Sequence, residues 1–148
     1  MSMPFRKVRM VLSLLFVAAC AWGQATDARN FTFTSQTVVK TNLPKLAPCL
    51  FELQGILRER FGQSAIIGGM RASGPSVIEL WTDAELEGKA HYILRISARR
   101  LSIKGATQEA IQCGLKALDK ILREETNHTA NRQIAPRRIE SVSGSDCP

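Results

Sequence analysis

Between Ala90 and Leu122 the chain alternates twice and then changes period, and that switch constrains its fold more than any other feature. Tyr92, Leu94 and Ile96 alternate with Ile93, Arg95 and Ser97, which reads as a strand with one apolar face. Ser97-Ala98-Arg99-Arg100 reads as a turn, and Leu101-Ser102-Ile103-Lys104-Gly105 alternates again. Thr107 can then cap a helix by accepting a backbone N–H bond through its hydroxyl. Behind it, Ile111, Leu115, Leu118 and Leu122 recur at steps of four, three and four, the spacing of an apolar helical stripe.

The upstream half repeats the theme. Asn30-Phe31-Thr32-Phe33-Thr34 alternates as a strand, with Thr37-Val38-Val39 as its continuation, and Thr41-Asn42-Leu43-Pro44 is a break. A helix is expected from Lys45 or Leu46, with Pro48 tolerated in its first turn because the N–H it lacks would have no partner there. Leu46, Leu50, Leu53, Leu57 and Phe61 form its stripe, Arg58, Glu59 and Arg60 its opposite side, and Gly62 its terminator. Ser64–Ile67 reads as a short strand ended by Gly68-Gly69, Ser76–Trp81 as a strand, and Thr82–Lys89 as an acidic loop. The expected architecture is α+β, a single small sheet with two amphipathic helices packed on one face, in the order β-α-β-β-β-β-α. It occupies residues 26–123. From Glu124 the period is lost, so residues 124–148 are expected to be a disordered or loosely docked tail.

The first 25 residues read as a signal peptide. Arg6, Lys7 and Arg9 form a positive start, and Met10–Ala19 is an apolar run too short to span about 30 Å of hydrocarbon. Cleavage is expected after Ala25 or Gly23. Val17-Ala18-Ala19-Cys20 also fits a lipoprotein box, in which Cys20 would be lipidated and would tie the protein to a membrane; otherwise no membrane partner is expected. The expected location is periplasmic or extracellular.

Removing that segment takes away three basic residues and no acid, lowering the formal charge of +7 by three. The remaining basic residues are scattered, apart from Arg99-Arg100 and Arg137-Arg138, with no aromatic interleaving, so no nucleic-acid partner is expected. Past Cys20 the cysteines are Cys49, Cys113 and Cys147. Cys49 and Cys113 both fall in expected helices, where each reads as a buried thiol, with a bridge between them as the second reading. His91 and His128 lie far apart with no nearby Cys pair, so neither a metal site nor a cofactor is expected.

The run Tyr92-x-Leu94, Ile103-x-Gly105-Ala106-Thr107 and Gly114-Leu115-x-x-Leu118-x-x-Ile121-Leu122 resembles the end of the non-catalytic domain of bacterial β-N-acetylhexosaminidases, glycoside hydrolase family 20. Gln112-Cys113 stands where that family usually has an aromatic pair, Ala117 where it has Thr, and Lys120 where it has Gln. A weaker likeness reaches back to about Asn30. The resemblance implies the same α+β domain, which in the family precedes a (β/α)₈ catalytic barrel; 148 residues leave no room for a barrel of about 250.

Family 20 enzymes use the substrate's acetamido group as nucleophile, and the resemblance implies an adjacent Asp-Glu pair. The sequence has none, and Glu124-Glu125, its one adjacent acid pair, sits beside Arg123 as a solvated cluster. No catalytic residue is assigned. Trp81 reads as a cap on the core, with stacking on a sugar ring as the alternative. His91 reads as a hydrogen-bonded or exposed side chain, and Gly68-Gly69 and Gly105-Ala106 as backbone turns or close-packing positions without the lysine of a phosphate loop. Asn30-Phe31-Thr32 and Asn127-His128-Thr129 match the glycosylation sequon. The expected function is therefore that of an exported, truncated hexosaminidase-family protein, inactive alone, whose partner is a catalytic barrel or a second copy. A free-standing envelope interaction or sugar-binding module is the alternative.

Overall fold

The computed structural model describes residues 29–126, 133–142 and 147–148. The elements are β1 (Phe31–Thr32), β2 (Val38–Thr41), α1 (Pro48–Phe61), β3 (Ile66–Ile67), β4 (Val77–Thr82), a single 3₁₀ turn (Ala84–Leu86), β5 (Tyr92–Ile96), β6 (Arg100–Gly105), α2 (Gln108–Thr126), β7 (Gln133–Ile134) and β8 (Arg137–Ser141). Six strands form one sheet in the order β3-β2-β4-β6-β5-β8, and β1 pairs with β7 in a second, two-stranded sheet. β3, β2, β4 and β6 run parallel, and β5 is antiparallel to both β6 and β8. The fold is α+β, as the periodicities imply.

Strand alternation decides which residues meet the helices. Val39, Ile78, Leu80, Leu101, Ile103, Tyr92, Leu94 and Ile96 are buried on one face of the sheet. Leu50, Leu53 and Leu57 of α1 and Ile111, Leu115, Leu118 and Leu122 of α2 are buried against them in one core cluster. Thr107 Oγ1 accepts from the Ala110 N–H at 3.2 Å, so the expected cap is in place. Two glycines let α2 approach closely. A Cβ at Gly114 would lie 2.5 Å from Ile103 Cγ2, and one at Gly105 would lie 2.9 Å from the backbone nitrogen of Ile111.

The amino-terminal strand divides. A turn in which Thr37 N donates to Thr34 O at 3.0 Å, and Thr34 N to Thr37 Oγ1 at 2.9 Å, breaks the alternation. Phe31 consequently pairs in the two-stranded sheet and Val39 in the six-stranded one, while Phe33 stacks on Phe61 with ring centroids 4.7 Å apart. The first helix starts at Pro48, not at Lys45 or Leu46. A residue before proline disfavours the α conformation, and Ala47 is extended at φ −60°, ψ 132°. Leu46 thus falls outside the helix and is 80% exposed. Gly62 ends the helix as expected, with φ 70°. Of the charged triplet expected to point away, Arg60 instead turns its half-buried side chain to Asp119 on α2, 3.1 Å away. The expected strand over Ser64–Ile67 shrinks to Ile66–Ile67, an exposed edge strand.

The largest correction concerns the tail. Helix α2 continues to Thr126, and the segment beyond it supplies β7 and β8. Ile134 is buried opposite Phe31, and Ile139 lies opposite Leu94 on the flank of β5. β5 would otherwise be an edge with unpaired N–H and C=O groups, and backbone pairing needs little apolar signal in the strand that covers it.

Cys49 is the buried thiol the sequence implies, whereas the reading of Cys113 is corrected. Cys113 is bridged to Cys147, with Cα atoms 4.9 Å apart, while Cys49 is a free buried thiol. The bridge pins Cys147 to the flank of α2, whereas the alternative Cys49–Cys113 link would have joined the two helices. The signal segment and Cys20 lie outside the described residues.

Candidate functional site

The strand residues that alternate with the core make the outer face of the sheet, away from both helices. In register across it stand Lys40, Glu79, Ser102, Arg95 and Arg138, and in the next row Trp81, Lys104, Ile93 and Glu140. Trp81 is therefore not a cap on the core. Ile78 and Leu80 point to the helices, so parity sends Trp81 outward, where it is half-buried beside Lys104. Glu79 lies low on this face, only 8% exposed, with Lys40 Nζ at 3.9 Å and Arg100 Nε at 3.6 Å. A groove of about 560 Å³ runs over these strands, lined among others by Glu79, Arg95, Arg99, Arg100, Lys104 and Arg138. Basic residues that are scattered in sequence are gathered here by strand parity.

A second feature lies where β2 and β3 end. Segments 41–45 and 67–70 enclose a hollow of about 350 Å³, lined by Leu43, Leu50, Ile67 and Met70 among others. Along the chain from it, Leu46 and Phe51 are exposed, as are Ile67 and Met70. Asn42 and Thr82 tie the ends of β2 and β4. Asn42 Nδ2 donates to Thr82 O at 2.9 Å, and Thr82 N donates to Asn42 Oδ1 at 3.0 Å.

The remaining residues singled out in the sequence take structural roles. Glu125 accepts from Ala135 N at 3.2 Å and pairs with Arg137, fastening the approach to β8 to the end of α2. Arg123 turns to Asp119 instead, at 2.9 Å. The expected solvated cluster is therefore a latch in which Glu125 takes part. His91 donates its backbone N–H to Ser141 O at 2.6 Å, and its ring lies edge-on to Tyr92. Gly68 N–H donates to Val39 O at 2.9 Å, a backbone contact with β2. Asn30 Nδ2 donates to Gln133 Oε1 at 3.4 Å, and Asn127 lies outside the described residues.

Among the described residues, electrostatics single out no reactive group. Burial, with the charges of Glu52 and Glu109, pushes the Cys49 thiol up, which keeps it protonated and unreactive. Burial also raises Glu52, against the pull of Lys116 and with a push from Asp119. Hydrogen bonds from the backbone and from Thr107 at the start of α2 hold Glu109 down. Among the described residues, no three His, Cys, Asp or Glu side chains stand where they could share a metal ion. Nor is any described helix long and apolar enough to cross a membrane.

No family model matches the sequence, and no curated protein does. Solved structures do. A β-hexosaminidase of Streptomyces plicatus, solved with GlcNAc, superposes with a TM-score of 0.56 at 14% identity, over 76% of this chain and 23% of that one. A GH20 exo-β-N-acetylglucosaminidase of Vibrio harveyi superposes with a TM-score of 0.51 at 21% identity, over 76% of this chain and 16% of that one. The chain thus spans a quarter or less of the enzymes it matches, and it shares its fold with a part of these β-hexosaminidases.

Proposed function

We propose that this chain is the non-catalytic accessory domain of a β-N-acetylhexosaminidase-type protein, exported from the cell, and that it supports a (β/α)₈ barrel that hydrolyses terminal N-acetylhexosamine. The observation that carries the reading is the coverage: 76% of this chain superposes on 16–23% of the hexosaminidases. The sequence resemblance at Tyr92–Leu94, Ile103–Thr107 and Gly114–Leu122 points the same way independently of the coordinates.

Export is supported by the signal-like start and by the Cys113–Cys147 bridge, since disulfides persist in oxidising compartments. Cleavage after Ala25 would release the protein, whereas lipidation at Cys20 would anchor it. The barrel packs on the exposed apolar surface of Leu46, Phe51, Ile67 and Met70, which self-association covers when no barrel is present. Inter-domain contacts of this kind bury about 600–1,500 Å².

The test is reconstitution. A hexosaminidase barrel expressed without its own accessory domain is expected to gain thermal stability and p-nitrophenyl N-acetylglucosaminide hydrolysis when the chain is added. The chain alone is expected to release no nitrophenol above buffer. Turnover by the chain alone that survives repurification and disappears on a point substitution would overturn the reading. So would a barrel indifferent to its addition.

A further inference from the structure

The outer sheet face sets like charges against each other. Arg95 and Arg138 are directly opposed on the antiparallel strands β5 and β8, and like charges in register destabilise a sheet. Arg138 has Glu140 at 3.0 Å, and Arg100 has Glu79. Among the described residues Arg95, Arg99 and Lys104 make no ion pair or side-chain hydrogen bond. All three line the same groove, as do Arg100 and Arg138. Five cations line the groove beside one carboxylate, Glu79, which Lys40 and Arg100 already flank.

We propose that this face binds an acidic oligosaccharide, one carrying carboxylate or sulfate groups on its sugar rings. Guanidinium groups match carboxylate and sulfate oxygens through paired N–H donors, so an anion between Arg95 and Arg138 turns their repulsion into a shared contact. Ser102 in the groove and the Glu79 carboxylate offer hydrogen-bonding groups to sugar hydroxyls, and Ser97, whose hydroxyl donates to Arg100 O at 3.0 Å, adds an acceptor. Half-buried Trp81 and Ile93 flank Lys104 in register and offer an apolar strip to the flat side of a ring. A single-stranded nucleic acid fits less well. It needs a succession of aromatic platforms, and among the described residues of the paired strands Trp81 is the one aromatic side chain on the outer face. The site is separate from the exposed apolar surface assigned to the barrel and does not depend on that assignment.

Calorimetric titration of the full chain at low salt tests this. The probes are a short oligogalacturonate, an uncharged chito-oligosaccharide of the same length and a thymidine oligonucleotide of the same charge. The oligogalacturonate is expected to bind, and more tightly than the other two. Arg95→Ser with Arg138→Ser is expected to weaken it roughly tenfold or more. Trp81→Ala should weaken it several-fold, while Lys116→Ser with Lys120→Ser, which removes the same charge from α2, should leave it unchanged. Equal losses in both double variants would reduce the effect to net charge and overturn the proposal. An oligonucleotide bound as tightly as the uronate, or absence of uronate binding, would overturn it as well. Melting of the unliganded protein provides an independent check. Arg95→Ser should melt no lower than the parent, and a clear fall would mean that the arginine stabilises the free fold and is not poised for an anion.

Discussion

Gln54 grips Ala65 as a neighbouring strand would: its Nε2 donates to Ala65 O at 2.8 Å, and its Oε1 accepts from Ala65 N at 3.0 Å. Both residues are buried, so the amide satisfies two backbone groups that water does not reach. The pair fixes where the chain leaves the turn at Gly62 and enters β3. Gln54→Ala is expected to lower stability by about 1–3 kcal/mol, the cost of leaving those groups unpaired. Gln54→Glu keeps the acceptor and loses the donor while ionised. Its deficit should therefore shrink in acid, where the protonated carboxyl donates again. Urea unfolding of both variants at neutral and acid pH checks this, and an unaltered midpoint for Gln54→Ala would show that the clamp carries no energy.

The close seat of α2 makes a second expectation. Leu115 is fully buried, and Leu115→Ala should cost on the order of 2–5 kcal/mol. Gly114→Ala adds one methyl where Ile103 already stands, and overpacking of this kind costs about 1–3 kcal/mol. The two errors have opposite signs in volume. Combining Gly114→Ala with Ile103→Val, which trims the obstructing side chain, should recover part of the loss in melting temperature.

Much of this arrangement is legible in the sequence because period and burial coincide. The stripe Ile111, Leu115, Leu118 and Leu122 and the alternation of Tyr92, Leu94 and Ile96 are buried as read. The misses have physical causes. The β8 segment Arg137-Arg138-Ile139-Glu140 has one apolar residue, and its pairing with β5 is backbone chemistry that leaves no hydrophobic pattern. Gln54, buried in α1 next to Leu53, gives no local sign that its partner lies eleven residues later. The outward turn of Trp81 is legible, since the parity of Ile78 and Leu80 already directs it away from the core. The basic groove could be found only once strand order was known, because Arg95, Arg100 and Arg138 come from three strands.

The cysteines provide a chemical check on the carboxy-terminal segment. Alkylation of the folded, unreduced protein should leave Cys49 unmodified, since burial raises its thiol and covers it. Proteolysis without reduction should yield Cys113 and Cys147 in one linked product. Recovery of a Cys49–Cys113 peptide instead would contradict the fold at α2.

Glu52 sets a pH dependence. Its folded value lies above the unfolded one, chiefly through burial. The linked stability is therefore fully present below the unfolded value of about 4.3 and is lost as pH rises through the folded value. Glu52→Gln removes that titration. The variant should equal or exceed the parent near neutral pH, and its advantage should disappear in acid. Denaturation midpoints measured across this window decide the matter, and an advantage that grows in acid would reverse the sign and refute the assignment.

The exposed apolar residues at the start of α1 give the last expectation. Leu46 is 80% exposed, Phe51 62% and Met70 61%, and side chains of this size left in water favour association with any apolar surface. Without a barrel the surface available to them is a second copy, so the purified chain should form dimers or larger species as its concentration rises. Phe51→Ser and Leu46→Ser remove apolar area from the surface and little from the core, because neither residue belongs to the buried cluster. Together they should shift the sedimentation profile toward monomer while leaving the melting temperature nearly unchanged. Charge reversal on the sheet face, as in Arg95→Glu, should not move that profile, since Arg95 lies on the side away from the helices. Association that persists in the Phe51/Leu46 variant and vanishes in Arg95→Glu would move the contact to the basic groove and remove the support for a barrel docked at α1.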